Sequence, residues 1–189
     1  MIRRMRMKDL LLKKKAAVLL TTALFFISGC GYTTRSLLPS NFKTICVENF
    51  TNKVNVAAES NDDRMYRAYR PGMEINVAKA IRDKFVFDGN LKVTNSEDAD
   101  LILKGELVDF RNEALRYDRN DNVMEYRIRV VVNIEMQTKD GKTRWKENNF
   151  AGEWLYTTTG PLARSEDSAI VDAEGDLARR VVERTVEEW

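Results

Sequence analysis

The chain of 189 residues contains 31 basic and 29 acidic side chains and no histidine, which gives a formal net charge of +2. Seven of the basic residues and one of the acidic residues precede Cys30, so 24 basic and 28 acidic residues remain from Cys30 onward, a net charge of −4. A net negative charge argues against a nucleic-acid-binding protein, because such proteins usually carry an excess of basic residues. The lack of histidine means that the commonest general base and metal ligand is absent from the sequence.

The first thirty residues have the features of a lipoprotein export signal. A basic segment, 1–15, precedes the apolar run Ala16–Ile27, which as a helix spans about 18 Å and is too short for a hydrocarbon core of roughly 30 Å. The lipobox Ile27-Ser28-Gly29-Cys30 follows. We predict that residues 1–29 are removed and that Cys30 carries a diacylglycerol and an N-acyl lipid. The alternative is an ordinary signal peptide, or a buried helix that precedes a cysteine.

The mature chain is predicted to form a linker, 30–42, and a single domain, 43–189, whose length suits one core. The first strand is predicted at Ile45–Val47, with Cys46 as a small buried hydrophobic residue. A long polar connection, 49–70, then leads to a helix over Pro71–Phe87. The residues at helical spacing that predict this helix are Ile75, Ala78, Ile81, Arg82 and Phe85.

Three strands are predicted after this helix. The first covers Leu101–Phe110, and a polar stretch, 111–122, follows it. In Met124–Gln137 every even position is apolar and most odd positions are polar, the pattern of an antiparallel strand with one face on a core and the other in water. Asp140-Gly141 lies in the turn of a predicted hairpin that leads into the third strand, Arg144–Tyr156.

A second helix is predicted over Glu166–Trp189, with Ser165 as its N-cap and Gly175 at a site of close packing. The element order is therefore β-α-β-β-β-α, and the fold class is α+β. We expect a two-layer sandwich in which two helices pack on one face of a four-stranded mixed sheet. The sheet is expected to be mixed because a helix joins the first strand to the second, which favours a parallel neighbour.

The motifs of the chain do not indicate an enzyme, a metal site or a cofactor other than the lipid on Cys30. The sequence has no glycine-rich phosphate loop and no CxxC or EF-hand spacing. Pairs of carboxylates are the remaining candidates for acid–base or cation chemistry, although polar loops often contain such pairs. These pairs are Asp62 with Asp63, Asp98 with Asp100, and Asp118 with Asp121.

An ordered series of short motifs runs along nearly the whole mature chain. In the first half these motifs are Cys30-Gly31-Tyr32, Leu38-Pro39, Pro71-Gly72, Phe85 and Ala99-Asp100-Leu101-Ile102-Leu103-Lys104-Gly105. In the second half they are Tyr126-Arg127, Trp145, Phe150, Asp167-Ser168-Ala169-Ile170 and Asp176-Leu177-Ala178. Individually the motifs are unspecific, but their order and spacing resemble the LptE family of lipopolysaccharide-assembly lipoproteins.

The resemblance implies a non-enzymatic outer-membrane protein on the periplasmic side, anchored in the membrane by its lipid. Its partners would be lipopolysaccharide and an LptD-like outer-membrane β-barrel, which it would help to assemble and whose lumen it would partly fill and plug. Gly31 after the lipidated cysteine is compatible with delivery to the outer membrane. The alternative is a lipid-anchored periplasmic binding or structural module without a barrel partner.

Two groups of arginines are candidates for lipopolysaccharide contact, because guanidinium groups suit phosphate oxygens and tyrosines suit sugar faces. In the first group, Arg64, Arg67 and Arg70 alternate with Tyr66 and Tyr69. The alternative to lipopolysaccharide contact is that these residues form an extra helical turn packed on the end of the domain. The second group is Arg127 and Arg129, which lie on the same face of one strand. The simpler explanation of this group is a solvated face of the sheet.

A cluster of large side chains in the last strand is a candidate for the barrel contact wherever the helices leave it uncovered. We expect core packing for at least half of its members, which are Trp145, Trp154, Leu155 and Tyr156.

Overall fold

The computed structural model describes residues 38–39, 41–54, 65–66, 70–96 and 98–186. The predicted signal peptide, Cys30 and most of the linker lie outside the described residues, so the predicted processing and lipidation stay predictions. The strands and helices are β1 (Thr44–Val47), β2 (Thr51–Asn52), β3 (Met65–Tyr66), α1 (Met73–Asp88), β4 (Lys92–Val93), β5 (Leu101–Tyr117), β6 (Val123–Thr138), β7 (Thr143–Thr157) and α2 (Glu166–Val186).

One mixed sheet contains all seven described strands. Its main order is β4-β1-β5-β6-β7, with β1 parallel to β4 and β5, and β5, β6 and β7 mutually antiparallel. The short strands β2 and β3 add to β5, in parallel and antiparallel orientation respectively. The α+β class, the mixed sheet and the parallel first strand are confirmed, but the four-strand count is wrong. The strands missed, β2, β3 and β4, have two residues each, too few for any periodicity.

Strand β5 is longer than its sequence pattern indicates. The prediction ended the strand at Phe110, whereas the structure continues it to Tyr117 and leaves only 118–122 as the turn. Two charged residues of this extension lie opposite residues of opposite charge on β6, with Glu113 facing Arg127 and Arg116 facing Glu125. Cross-strand charge pairs therefore replace the apolar alternation on which the prediction depended.

The core lies between the sheet and the two helices. The apolar positions of β6 from Ile128 to Met136 are buried, as the alternation predicts, and they join the core cluster with residues of both helices. Helix α1 contacts β1, β5 and α2, and helix α2 contacts β6 and β7. Both helices therefore cover one face of the sheet, and Cys46 is buried as predicted. We call the other side of β5–β7, which carries Glu113, Arg127 and Glu153, the open face.

Helix α1 begins two residues later than predicted, after Gly72, whose φ of 92° lies in the left-handed region that favours glycine. The apolar stripe is also shifted. Ile75, which the sequence placed on the core side, is 53% exposed. The buried residues of α1 are Met73, Val77, Ala78, Ile81 and Phe85.

Helix α2 begins where the sequence predicts it. The hydroxyl of Ser165 accepts a hydrogen bond from the backbone N–H of Ser168 at 3.2 Å, the geometry of an N-cap. The close-packing interpretation of Gly175 is wrong, because a Cβ added there would have nothing within 4 Å. The tight contact is instead at Gly152 of β7, where an added Cβ would lie 2.5 Å from the carbonyl oxygen of Ala173.

Candidate functional site

Arg127 and Arg129 lie on the open face, as the alternation of β6 predicts, and both are paired with carboxylates. The Nη2 atom of Arg127 is 2.5 Å from Oε2 of Glu113, and its Nη1 atom is 4.0 Å from Glu153. The Nε atom of Arg129 is 3.2 Å from the other oxygen of Glu153. The hydrogen bonds to Glu113 raise the pKa of Arg127, so its guanidinium group is firmly charged and already engaged.

These pairs extend into a continuous row that we call the ion ladder. Arg111 lies 2.5 Å from Asp109 and 4.0 Å from Glu113, which connects it to Arg127. Three guanidinium groups and three carboxylates therefore alternate across β5, β6 and β7, and the ladder carries no net charge. Its members are Asp109, Arg111, Glu113, Arg127, Arg129 and Glu153. A phosphate that approaches this face has to compete with the internal carboxylates.

A second group of polar contacts fixes the other end of the open face. Glu135 accepts hydrogen bonds from Gln137 (2.6 Å) and Thr143 (2.7 Å) and lies 3.3 Å from Lys146. Led by the hydrogen bond from Gln137, these contacts lower the pKa of Glu135 to about 2. This end of the face is therefore charged but internally compensated as well.

Arg70, the described member of the first group, is not brought together with Arg127 and Arg129. Arg70 lies just before α1 and forms ion pairs with Asp167 and, at 3.6 Å, with Glu166 at the start of α2. It therefore joins the amino-terminal ends of the two helices. Arg64 and Arg67 lie outside the described residues, so their contact with lipopolysaccharide stays a prediction.

An apolar cleft of about 500 Å³ adjoins the ion ladder. Arg127 and Glu153 line one part of it, and three large apolar side chains line the rest: Leu115, Trp154 and Leu155. Of the cluster predicted as contact candidates, Trp145 and Tyr156 are buried, whereas Trp154 is 39% and Leu155 53% exposed. The expectation that half of the cluster belongs to the core is confirmed. Leu115 was missed because it follows the predicted end of its strand.

The described carboxylate pairs have structural contacts. Asp100 accepts hydrogen bonds from the backbone N–H of Lys43 (2.9 Å) and from the hydroxyl of Thr44 (2.9 Å), and these contacts lower its pKa. Asp118 closes the β5–β6 turn by accepting from Asn122, which lowers its pKa. Asp62 and Asp63 lie outside the described residues. Within the described part of the chain no group of acids and cysteines could hold a metal ion.

Among the described residues, no helix combines the length and the apolar character needed to cross a membrane. Fold and surface together define a two-layer α+β domain with one helix-covered face and one open, charge-compensated face. The charged and apolar side chains exposed on the open face suit association with another polar surface that also offers apolar contacts.

The comparison with protein families identifies the chain. Residues 42–185 match the family model LptE, lipopolysaccharide-assembly, and the chain therefore belongs to the LptE family. The match confirms the family resemblance that the sequence motifs indicated. A comparison with curated protein sequences found no match.

Solved structures to which the chain is similar include those of three bacterial proteins. A minor lipoprotein from Acinetobacter baumannii has 14% identity and a TM-score of 0.48, with 76% of this chain and 92% of that chain covered. A hypothetical protein from Chlamydia trachomatis has 10% identity and a TM-score of 0.45, with 76% and 95% covered. The rare lipoprotein B from Shewanella oneidensis has 12% identity and a TM-score of 0.40, with 73% and 91% covered.

Proposed function

We propose that this protein is an outer-membrane lipoprotein that assists the assembly of, and plugs, the β-barrel that inserts lipopolysaccharide at the cell surface. The family match over residues 42–185 carries this proposal. The lipobox that ends at Cys30 supports an anchor in the inner leaflet of that membrane. In this proposal the protein binds and positions its partners and does not act as an enzyme.

The open face is the surface that we assign to the barrel lumen. The lumen of a membrane β-barrel is polar, so a plug needs charges that stay compensated when water is excluded. The ion ladder has this property, because Glu113 and Glu153 neutralise the arginines beside them. The exposed Leu115 and Leu155 next to the ladder add apolar area that becomes buried in a contact.

Direct contact with lipopolysaccharide is the second part of the proposal. Arg64 and Arg67 are its first candidates. At Arg70, Arg127 and Arg129, a phosphate group has to displace the paired carboxylate or share the guanidinium group with it. These three arginines therefore contribute less to lipopolysaccharide binding.

Purification of the lipidated protein from membranes in mild detergent tests the association. We expect a large β-barrel of the outer membrane to be recovered with it, and the same barrel to be lost from a Leu155→Glu variant that still folds. A matched control is Val171→Glu, since Val171 is exposed on the helix layer. Recovery of the lipoprotein without any barrel would contradict the proposal and favour a periplasmic binding or structural module.

A further inference from the structure

A second cleft lies on the helix side of the sheet, where the long strands extend beyond the start of α2. Its volume is about 430 Å³, within the range of roughly 300–1,000 Å³ that is usual for small-molecule sites. Its walls come from β5, β6, β7 and the segment that leads into α2. The lining residues are Asn112, Tyr126, Tyr156, Thr158, Arg164 and Glu166.

Asn112 gives this cleft a buried polar group with unused hydrogen-bonding capacity. The side chain is only 4% exposed, and its Nδ2 group donates a hydrogen bond to the hydroxyl oxygen of Tyr156 at 3.0 Å. The Oδ1 atom of Asn112 has no hydrogen-bond partner within the described structure. Buried amides are normally satisfied at both ends. One end of this amide, enclosed in the wall of the cleft, therefore has unused hydrogen-bonding capacity.

Two stacked tyrosines supply the flat part of the cleft. The rings of Tyr126 and Tyr156 are neighbours on β6 and β7, with centroids 5.4 Å apart and an angle of 16° between their planes. Tyr156 is buried, whereas Tyr126 is only half-buried. A tyrosine combines a flat apolar ring with a polar hydroxyl, a combination that suits ligands with both C–H and O–H groups.

The charges around the cleft are paired within the protein. Arg164 lies 2.7 Å from Asp172 and donates a hydrogen bond to the hydroxyl of Ser168 at 2.7 Å. Glu166 lies 3.6 Å from Arg70. A charged ligand would have to break one of these pairs, so the cleft favours a neutral ligand.

We propose that this cleft binds a neutral sugar ring of a glycan, with one face of the ring against Tyr126 and a hydroxyl group hydrogen-bonded to the Asn112 amide, whose side chain turns toward the cleft on binding. A hydroxyl group both donates and accepts, so it pairs with whichever end of the amide Tyr156 leaves free. The sugar site is separate from the arginines of the open face. It stands independently of the barrel association and gives the protein a second, uncharged means of contact with a glycan.

The test uses the lipidated protein in detergent micelles, with isotope labelling for nuclear magnetic resonance. The probes are the disaccharide of N-acetylglucosamine, as a neutral sugar, and inorganic phosphate. We expect the disaccharide to bind in the millimolar range and to shift the side-chain amide signals of Asn112 and the backbone signals of Tyr126 and Thr158. Lipopolysaccharide and its lipid-free saccharide, added as competitors, distinguish a glycolipid source from a free glycan.

Two variants and a control make the assignment specific. Asn112→Leu keeps the size of the side chain but removes the amide, and Tyr126→Leu removes the exposed ring. Each is expected to weaken disaccharide binding by about tenfold. Tyr117→Leu, at the exposed end of β5 outside the cleft lining, is expected to leave it unchanged.

Several results would overturn the sugar site. They are an absence of disaccharide-induced shifts at millimolar concentrations, equal weakening by Tyr117→Leu, or shifts caused by phosphate alone. The folded Asn112→Leu variant is also expected to recover the barrel as well as the unchanged protein does. Loss of the sugar with retention of the barrel thus separates this inference from the proposed function.

Discussion

At the level of single residues, Glu174 is the carboxylate of α2 with the most unfavourable surroundings. Its side chain is 6% exposed, and its Oε1 atom has no hydrogen-bond partner in the described part of the chain. Burial raises the pKa of Glu174 to about 7, because the charged form loses its hydration. The native protein therefore binds a proton more tightly than the unfolded chain does.

This pKa predicts how the stability changes with pH. Between pH 4.5, the ordinary pKa of glutamate, and about pH 7, the native state holds more protons than the unfolded state. The free energy of unfolding therefore falls as the pH rises through this window. We expect Glu174→Gln to stabilise the domain at about pH 8 by roughly 1–3 kcal/mol and to have little effect at about pH 4. Urea unfolding at both pH values measures the difference.

The matched control is Glu183→Gln on the same helix, whose carboxylate pairs with Arg179 at 2.6 Å on the surface. A surface pair contributes about 0–1 kcal/mol, so this variant is expected to be neutral or slightly destabilising at the higher pH. An equal gain from both variants would show that the burial of Glu174 is not responsible.

We also predict that Arg64 and Arg67 bind lipopolysaccharide. Reversal of both charges, Arg64→Glu with Arg67→Glu, removes two guanidinium donors and adds two repulsive carboxylates. We expect the affinity of the purified protein for lipopolysaccharide to fall by about tenfold or more, measured by competition with labelled lipopolysaccharide. Arg119→Glu, in the β5–β6 turn, is the control for a general charge effect. Unchanged affinity in a folded double variant would refute the prediction.

The sequence placed Arg127 and Arg129 on the correct face but did not reveal the carboxylates beside them. Alternation within β6 is a local property, so it could be predicted. The partners Glu113 and Glu153 belong to two other strands, and their positions depend on register and on bulges such as the one between Leu107 and Asp109. Asn112 was missed for the same reason, because its partner Tyr156 is 44 positions away.

At the level of elements, the contact between α2 and β7 depends on Gly152. An added methyl group there would lie 2.5 Å from the carbonyl oxygen of Ala173 and from the backbone nitrogen of Leu177. Backbone atoms cannot move aside cheaply, so we expect Gly152→Ala to destabilise the domain by about 1–3 kcal/mol. Thermal or urea unfolding measures this loss.

Gly175 of α2 provides the opposite expectation in the same experiment. A methyl group there meets no atom within 4 Å, and alanine has a higher helix propensity than glycine. Gly175→Ala is therefore expected to stabilise the domain by roughly 0.5–1 kcal/mol. The account of this helix–sheet contact would be wrong if Gly152→Ala were neutral or if Gly175→Ala were the more harmful change.

The elements that the sequence predicted well are those in which one face is apolar and the other polar. Strand β6 and helix α2 meet this condition, since Ile128 to Met136 and Ala169 to Val186 supply the buried side chains. Strand β5 meets it only as far as Phe110, and beyond that point charge pairs with β6 hold the strand. Stabilisation of that kind leaves no periodic signal in a single strand.

At the level of the whole molecule, the layers separate two kinds of chemistry. The helix layer closes the core and, beyond the start of α2, leaves the cleft around Asn112. The open face carries the ion ladder and the apolar residues Leu115 and Leu155. By the further inference the first region contacts a glycan, and by the proposed function the second region contacts the barrel. An anchor at Cys30 would hold both at the membrane surface.

Photo-crosslinking in intact cells tests the proposed plug most directly. A photoreactive amino acid replaces Leu155, which is 53% exposed on the open face, and the same cells without illumination are the control. We predict a covalent product between this lipoprotein and a large outer-membrane β-barrel, with the cross-linked site on a lumen-facing residue of the barrel. If the illuminated lipoprotein is present in the outer membrane but forms no product with a β-barrel, the central claim is contradicted.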